Sequence, residues 1–299
     1  MMRKTLLTSM ALAVGLMARG AFAADATGPF ADLDNDGVFG PGDVSLTKAL
    51  GNDGVFDSSR ADAGYQPVDG KVDVVFPARY VSKKRVLVVK TNGDISVHGG
   101  LGAAGNGGVI VLLSTGGAVH VDGSLRLTTD SVLQLIGLGD VVVGDGVQLL
   151  AKSGDFSMVS IASQDGNVHI GSNVNIGAQG LVEITTGDQT GGVVEVGPGS
   201  RVASGGGSAR LTAGNDVSLT GMKLSAQNVL IGSHASPRTG RAGAMGPGYT
   251  TVRSSLVKAP HGQVHIFADG DGGTIDVTKT ALQAESRDQV TLDADIIVR

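Results

Sequence analysis

Gly166-Asn167-Val168-His169-Ile170-Gly171-Ser172-Asn173-Val174-Asn175-Ile176-Gly177-Ala178-Gln179-Gly180-Leu181-Val182-Glu183-Ile184 decides the fold. Three short alternating runs, Val168 to Ile170, Val174 to Ile176 and Leu181 to Ile184, are separated by Gly, Ser and Asn corners. Alternate residues of a strand share a face, so each run offers one apolar side to a narrow core. The first run recurs along the chain, at Ile95-Ser96-Val97, Val119-His120-Val121, Val141-Val142-Val143, Val194-Glu195-Val196, Val217-Ser218-Leu219, Val229-Leu230-Ile231 and Val264-His265-Ile266. From Ile95 to Val217 the step between copies is 22 to 27 residues. Strands at such a period, with glycine at the corners, predict a solenoid in which the copies stack as a column. No helix-period segment lies between the strands, which excludes leucine-rich and βα repeats. The expected fold is therefore mainly β, a right-handed parallel β-helix over residues 83–299.

Composition agrees. Glycine contributes 48 of 299 residues, without the every-third spacing of collagen. Trp is absent, with three Tyr and seven Phe, which suits a core of stacked Val, Ile and Leu. With no cysteine, disulfides and thiolate metal sites are excluded. Arg3 and Lys4, the apolar run Leu6 to Met17 and Ala21-Phe22-Ala23 read as a secretory signal over residues 1–23. Its removal leaves 20 basic against 28 acidic residues. An acidic, exported chain is expected to be secreted or held at a bacterial cell surface, without nucleic acid as partner and without a membrane span after cleavage.

Ahead of the repeats stands Asp32-Leu33-Asp34-Asn35-Asp36-Gly37-Val38-Phe39-Gly40-Pro41-Gly42-Asp43. Acids at positions 1, 3, 5 and 12 with glycine at position 6 are what a twelve-residue, EF-hand-like calcium loop requires. The expected Ca2+ ligands are Asp32, Asp34, Asp36, the Val38 carbonyl and Asp43, the last a weaker ligand than the usual Glu. Val44 to Leu50 is expected to form a short exiting helix. Asn52-Asp53-Gly54-Val55-Phe56 repeats the centre of the loop without its flanking acids, and Val68-Asp69-Gly70-Lys71-Val72-Asp73 places Tyr65 and Pro67 where acids belong.

A calcium loop followed only by its exiting helix, with Lys48 on it, resembles the half-repeat of dockerin modules over residues 30–82. That resemblance implies a cohesin-type protein partner and attachment to a carbohydrate-active assembly. The organisation expected is thus a signal at 1–23, a small dockerin-like calcium module at 24–82 and the β-helix at 83–299. Within the repeats, Gly166 to Gly171 and Gly214-Asn215-Asp216-Val217-Ser218-Leu219 resemble the haemagglutinin-type repeats of filamentous bacterial adhesins, which implies the fold more than a function.

Catalysis finds little support in the residues. Asp94, Asp140, Asp165, Asp188 and Asp216 sit in or beside turns, where such side chains cap backbone groups. No catalytic or cofactor-binding residue is therefore assigned. If all units were in register, His120, His169 and His265 would share a face with a broken stripe of His, Ser and Glu. The segment Ser233 to Tyr249 lacks a strand pattern and reads as an inserted loop, with His234, Arg238, Arg241 and Tyr249 as candidate ligand residues. Asp269-Gly270-Asp271-Gly272-Gly273 is a weaker calcium candidate. The final Ile296-Ile297-Val298-Arg299 carries no evident helical cap, which leaves end-to-end self-association open. The function expected is a non-catalytic, calcium-binding surface or matrix interaction protein of adhesin type, with an extracellular glycan or a cohesin as partner. The alternative is a β-helical polysaccharide lyase or hydrolase, or a carbohydrate-binding subunit, carrying the calcium module.

Overall fold

The computed structural model describes residues 28–59, 70–128, 130–152, 154–187, 191–234, 236–237 and 245–299. The expected signal (1–23), Tyr65, Pro67, Asp188, Arg238 and Arg241 lie outside them. Among the described residues the chain is a parallel β-solenoid whose coils contribute strands to three sheets. The first sheet has twelve strands, the second ten and the third nine. One coil runs from Met158–Ser163 in the second sheet to Val168–Ile170 in the first and Asn175–Ala178 in the third.

The valine column forms as the period demands. Ile95, Val119, Val141, Val168, Val194 and Val217 are consecutive register partners in the first sheet. Each faces inward and is at most 1% exposed. The column continues upstream to Val74 and downstream through Thr250 and Ile275 to Ile297. Thr250 stands where a valine is expected, and its hydroxyl is satisfied by Ser233 Oγ at 2.9 Å and the Phe267 carbonyl at 2.7 Å. The last two copies of the motif belong elsewhere. Val229 and Val264 pair with each other in the second sheet, not in the valine column.

Polar corners lock one coil to the next. The Asp73 carboxylate accepts from Asp94 N at 2.6 Å, Asp94 from Ala118 N at 2.7 Å, Asp140 from Asn167 N at 2.7 Å, and Asn167 Oδ1 from Val193 N at 2.9 Å. At the corner leaving the second sheet, buried Ser114 donates to Gly93 O and accepts from Gly117 N; Ser163 repeats this with Gly139 O and Gly166 N. A corner must turn away from the sheet ladder, which strands backbone groups, and these side chains satisfy them.

Sheet pairing runs across residues 82 and 83. Val55–Asp57 pairs in parallel with Val86–Thr91, Asp73–Phe76 with Ile95–Val97, and Tyr80–Ser82 with Leu101–Ala103. Phe30–Asp32 adds antiparallel to Asp73–Phe76 and so ends the parallel order of the first sheet. A helix, α1 (Thr47–Asn52), follows, with Leu46 and Leu50 fully buried at this end of the core. At the opposite end Ile296, Ile297 and Val298 are exposed.

Candidate metal centre

Asp32 closes the strand Phe30–Asp32 and Val44–Ser45 returns antiparallel beside it, so residues 33–43 are the connection of a two-stranded hairpin. The exiting helix expected from Val44 is displaced to Thr47–Asn52. Its first residues are spent on the strand pairing of Val44 with Ala31 and Ser45 with Phe30, and Leu46 N is held by the Pro29 carbonyl.

Within the connection, Asp32 is 2% exposed and fixed, Oδ1 accepting from Asn35 N at 2.8 Å and Oδ2 from Gly37 N at 2.7 Å. Asp36 Oδ1 accepts from Val38 N at 2.7 Å. Gly37 sits at φ +73°, the left-handed region that the sixth position was expected to need. The turns bring Asp32, Asp34 and Asp36 together, each offering an oxygen within 4.8 Å of the others. Among the described residues this is the only such group of three acids or histidines. Asp43 closes the loop from the far side, with Oδ1 accepting from Leu33 N at 2.9 Å and Oδ2 from Gly40 N at 2.8 Å. The Phe39 ring packs edge-on against Phe30, centroids 5.4 Å apart, and ties the outer half of the loop to the strand. Val38 itself is 65% exposed.

Crowded carboxylates leave a charge problem. Desolvation, a hydrogen bond with Asp32 and repulsion from Asp36 and Asp43 together push the Asp34 carboxyl above its ordinary value. A hard divalent cation would relieve that penalty, because it takes several carboxylate oxygens as ligands. The donor set is all oxygen and all acidic; Asp32, Asp34 and Asp36 could hold a metal ion, while Asp43 braces the loop by accepting from its amides.

The other candidates separate. Asp269-Gly270-Asp271-Gly272-Gly273 is a turn in which Gly273 N bonds Gly270 O, while Asp269 is engaged by His234. His120 and His169 do share the outer face of the first sheet, with Val142 between them. His265 does not join them, because its strand belongs to the second sheet, where its ring lies 5.8 Å from Phe267. Sequence reading missed that histidines pair with acids one coil on: His98 with Asp122 at 3.3 Å, His169 with Glu195 at 2.9 Å and His234 with Asp269 at 2.9 Å. Partners 24 to 35 residues apart become visible only once the register is known.

Of the four candidate ligand residues of the inserted segment, His234 and Tyr249 are described. His234 also lies 4.9 Å from the Phe267 ring, and Tyr249 begins the strand Tyr249–Arg253 of the first sheet, half-exposed. Between them Ser236–Pro237 pairs antiparallel with Met245–Gly246, a small ladder where no strand was expected. No described helix is long and apolar enough to cross a membrane.

Fold and loop together define a parallel β-solenoid with an acidic hairpin connection at one end. No family model matches the chain, and no curated protein or solved structure shows significant similarity to it. The likeness to dockerins and to filamentous adhesins therefore rests on the quoted motifs alone.

Proposed function

We propose that this chain is an exported, non-catalytic interaction protein, secreted or held at a bacterial surface, in which one Ca2+ braces the end of a right-handed parallel β-helix. Right-handed winding is the rule for parallel strand crossovers. The observation that carries the reading is the convergence of Asp32, Asp34 and Asp36 on one point, with the Asp34 carboxyl pushed up by its neighbours. The non-catalytic part draws on the use made of acids in the coils: Asp73, Asp94 and Asp140 hold backbone amides of the next coil, an architectural task. The long lateral surface suits a glycan or a protein of cohesin type as partner, as the dockerin-like motif implies.

Calorimetric titration of the full chain with Ca2+ tests the metal, with Mg2+ as the control that a smaller, octahedral ion fills poorly. One Ca2+ per chain is expected. Absence of binding at millimolar Ca2+ overturns the proposal. A glycan array read alongside a reducing-sugar release assay tests the rest: binding without release is expected, and release identifies the chain as an enzyme.

A further inference from the structure

The outer face of the second sheet carries an apolar field of its own. In the strands Val86–Thr91, Val109–Ser114, Val132–Gly137, Met158–Ser163 and Leu181–Thr186, the core takes alternate residues and the others point out. Outward register partners are Val86, Val109, Val132, Met158 and Leu181 in one row, with Val88 and Val111 in the next and Leu113 and Ile136 beyond. All are partly exposed. Phe156, at the corner before Met158, adds a ring that is 85% exposed. Five strands at about 4.8 Å by six residues at about 3.3 Å give a face of roughly 24 by 20 Å, on which Gln134, Ser160 and Glu183 interrupt the middle row and Lys90 and Thr185 end the outer one.

Charge marks the limits of the field, and its arrangement selects the occupant. At one end Asp57 pairs with Lys90 at 3.4 Å; at the other Glu183 pairs with Arg210 at 3.3 Å. Counting coils from the strand of Val132, Lys90 is two coils up and Glu183 two coils down, while Asp57 is three up and Arg210 three down. A two-fold axis along the strand of Val132 reverses the coil order. It lays Lys90 of one copy over the coil of Glu183 in the other, and Asp57 over that of Arg210. Each charge then meets its opposite one side-chain position along the strand. On the axis lies Gln134, whose amide both donates and accepts and so can pair with its own copy. A two-fold axis parallel to the solenoid instead would keep the coil order, laying the coil of Lys90 on itself and the coil of Glu183 on itself, so that like charges share a coil.

We infer that the outer face of the second sheet is a self-complementary interface, where two copies of this chain pack sheet on sheet about a two-fold axis through Gln134. An isologous contact of this kind closes at two copies and does not propagate. The field is smaller than a standard interface of about 800 Å² per partner, so the dimer is reversible on dilution.

Light scattering across a concentration series of the full chain, in calcium and in chelator, is the test. A doubling of mass with concentration is expected in both, so failure of the calcium reading leaves this result untouched. Gln134→Lys and Val132→Lys, both outward substitutions, abolish the doubling while circular dichroism stays unchanged. Because the chain has no cysteine, Gln134→Cys can also be linked by a short bis-maleimide. Cross-linked dimer is expected at Gln134→Cys and not at Ser218→Cys on the first sheet. Three results overturn the inference: a monomer at every concentration, equal cross-linking at both sites, or a doubling that survives both lysine variants. The last would point to the exposed final coil at Ile296 to Val298.

Discussion

Asn35-Asp36-Gly37-Val38-Phe39 and Asn52-Asp53-Gly54-Val55-Phe56 share five letters and one local turn. In both, the Asp Oδ1 accepts from the Val amide two residues on, at 2.7 and 2.9 Å, and the Gly takes φ of +73° and +79°. What surrounds the turn then divides them. Upstream of Asp36 stand Asp32 and Asp34; upstream of Asp53 stand Ala49 and Gly51, which offer no carboxylate. The first turn holds its valine out in solvent and gathers three acids. The second lies against the next coil, where Gly54 O accepts from Val88 N at 2.7 Å and Phe56 is 4% exposed. Local sequence sets the bend, and the neighbours decide whether it becomes a candidate metal loop or the first strand of a wall.

Four measurements bear on the difference between these turns and on the fold around them. The largest effect is expected from Gly54→Ala. A Cβ there would stand 1.9 Å from the Val86 carbonyl oxygen, on a backbone already in the left-handed region. Left-handed strain of about 1–2 kcal/mol adds to overpacking of about 1–3 kcal/mol, and thermal unfolding should show the loss. Gly37→Ala meets nothing within 4 Å, so only the backbone strain is expected.

Next comes metal affinity. Asp34→Ala should weaken Ca2+ binding by roughly 100-fold, on the scale of losing a charge-assisted contact of about 3 kcal/mol, whereas Asp53→Ala should leave the titration unchanged. Equal losses would mean that the two turns are not functionally distinct.

Acid provides a third lever, with opposite signs at the two ends. Asp34 has a raised folded pKa, so without metal the folded state holds this proton to higher pH than the unfolded chain does. Its contribution to stability is present at low pH and lost as pH rises through that raised value. Ca2+ affinity should fall on acidification, because the proton and the metal compete for the same oxygen. Asp276 is the reverse: hydrogen bonds from Arg253 and then Thr278 hold its carboxyl far below the usual range. Its contribution is present above the ordinary carboxylate pKa and lost as pH falls through the depressed one. Unfolding monitored against pH in wild type and Arg253→Met should show that acid-sensitive part disappear.

The smallest effect belongs to the corners. Ser163→Ala leaves Gly166 N and Gly139 O without their hydroxyl partner, and a loss of about 1–2 kcal/mol is expected by urea unfolding.

Much of the wall was legible in sequence because Ile95 through Val217 keep the step that stacking requires. Legibility failed where another demand occupied the position. Thr250 replaces the expected valine because its hydroxyl serves Ser233 and the Phe267 carbonyl, so the unit after Val217 was hidden. The motif at Val229 and Val264 was then assigned to the wrong wall. Val55–Asp57 and Asp73–Phe76 were masked by their likeness to calcium repeats, although their pairing is with the solenoid. At the candidate site, the three acids and the glycine were readable from spacing alone. The brace from Asp43 to Leu33 N and Gly40 N was not, since it depends on the hairpin that closes behind it.

Hydrogen exchange of the full chain with and without Ca2+ tests the central contrast most directly. Protection should rise at Asn35, Gly37, Val38 and Gly40 and stay unchanged at Val55 and Phe56. No calcium response at the first segment, or an equal response at both, would contradict it.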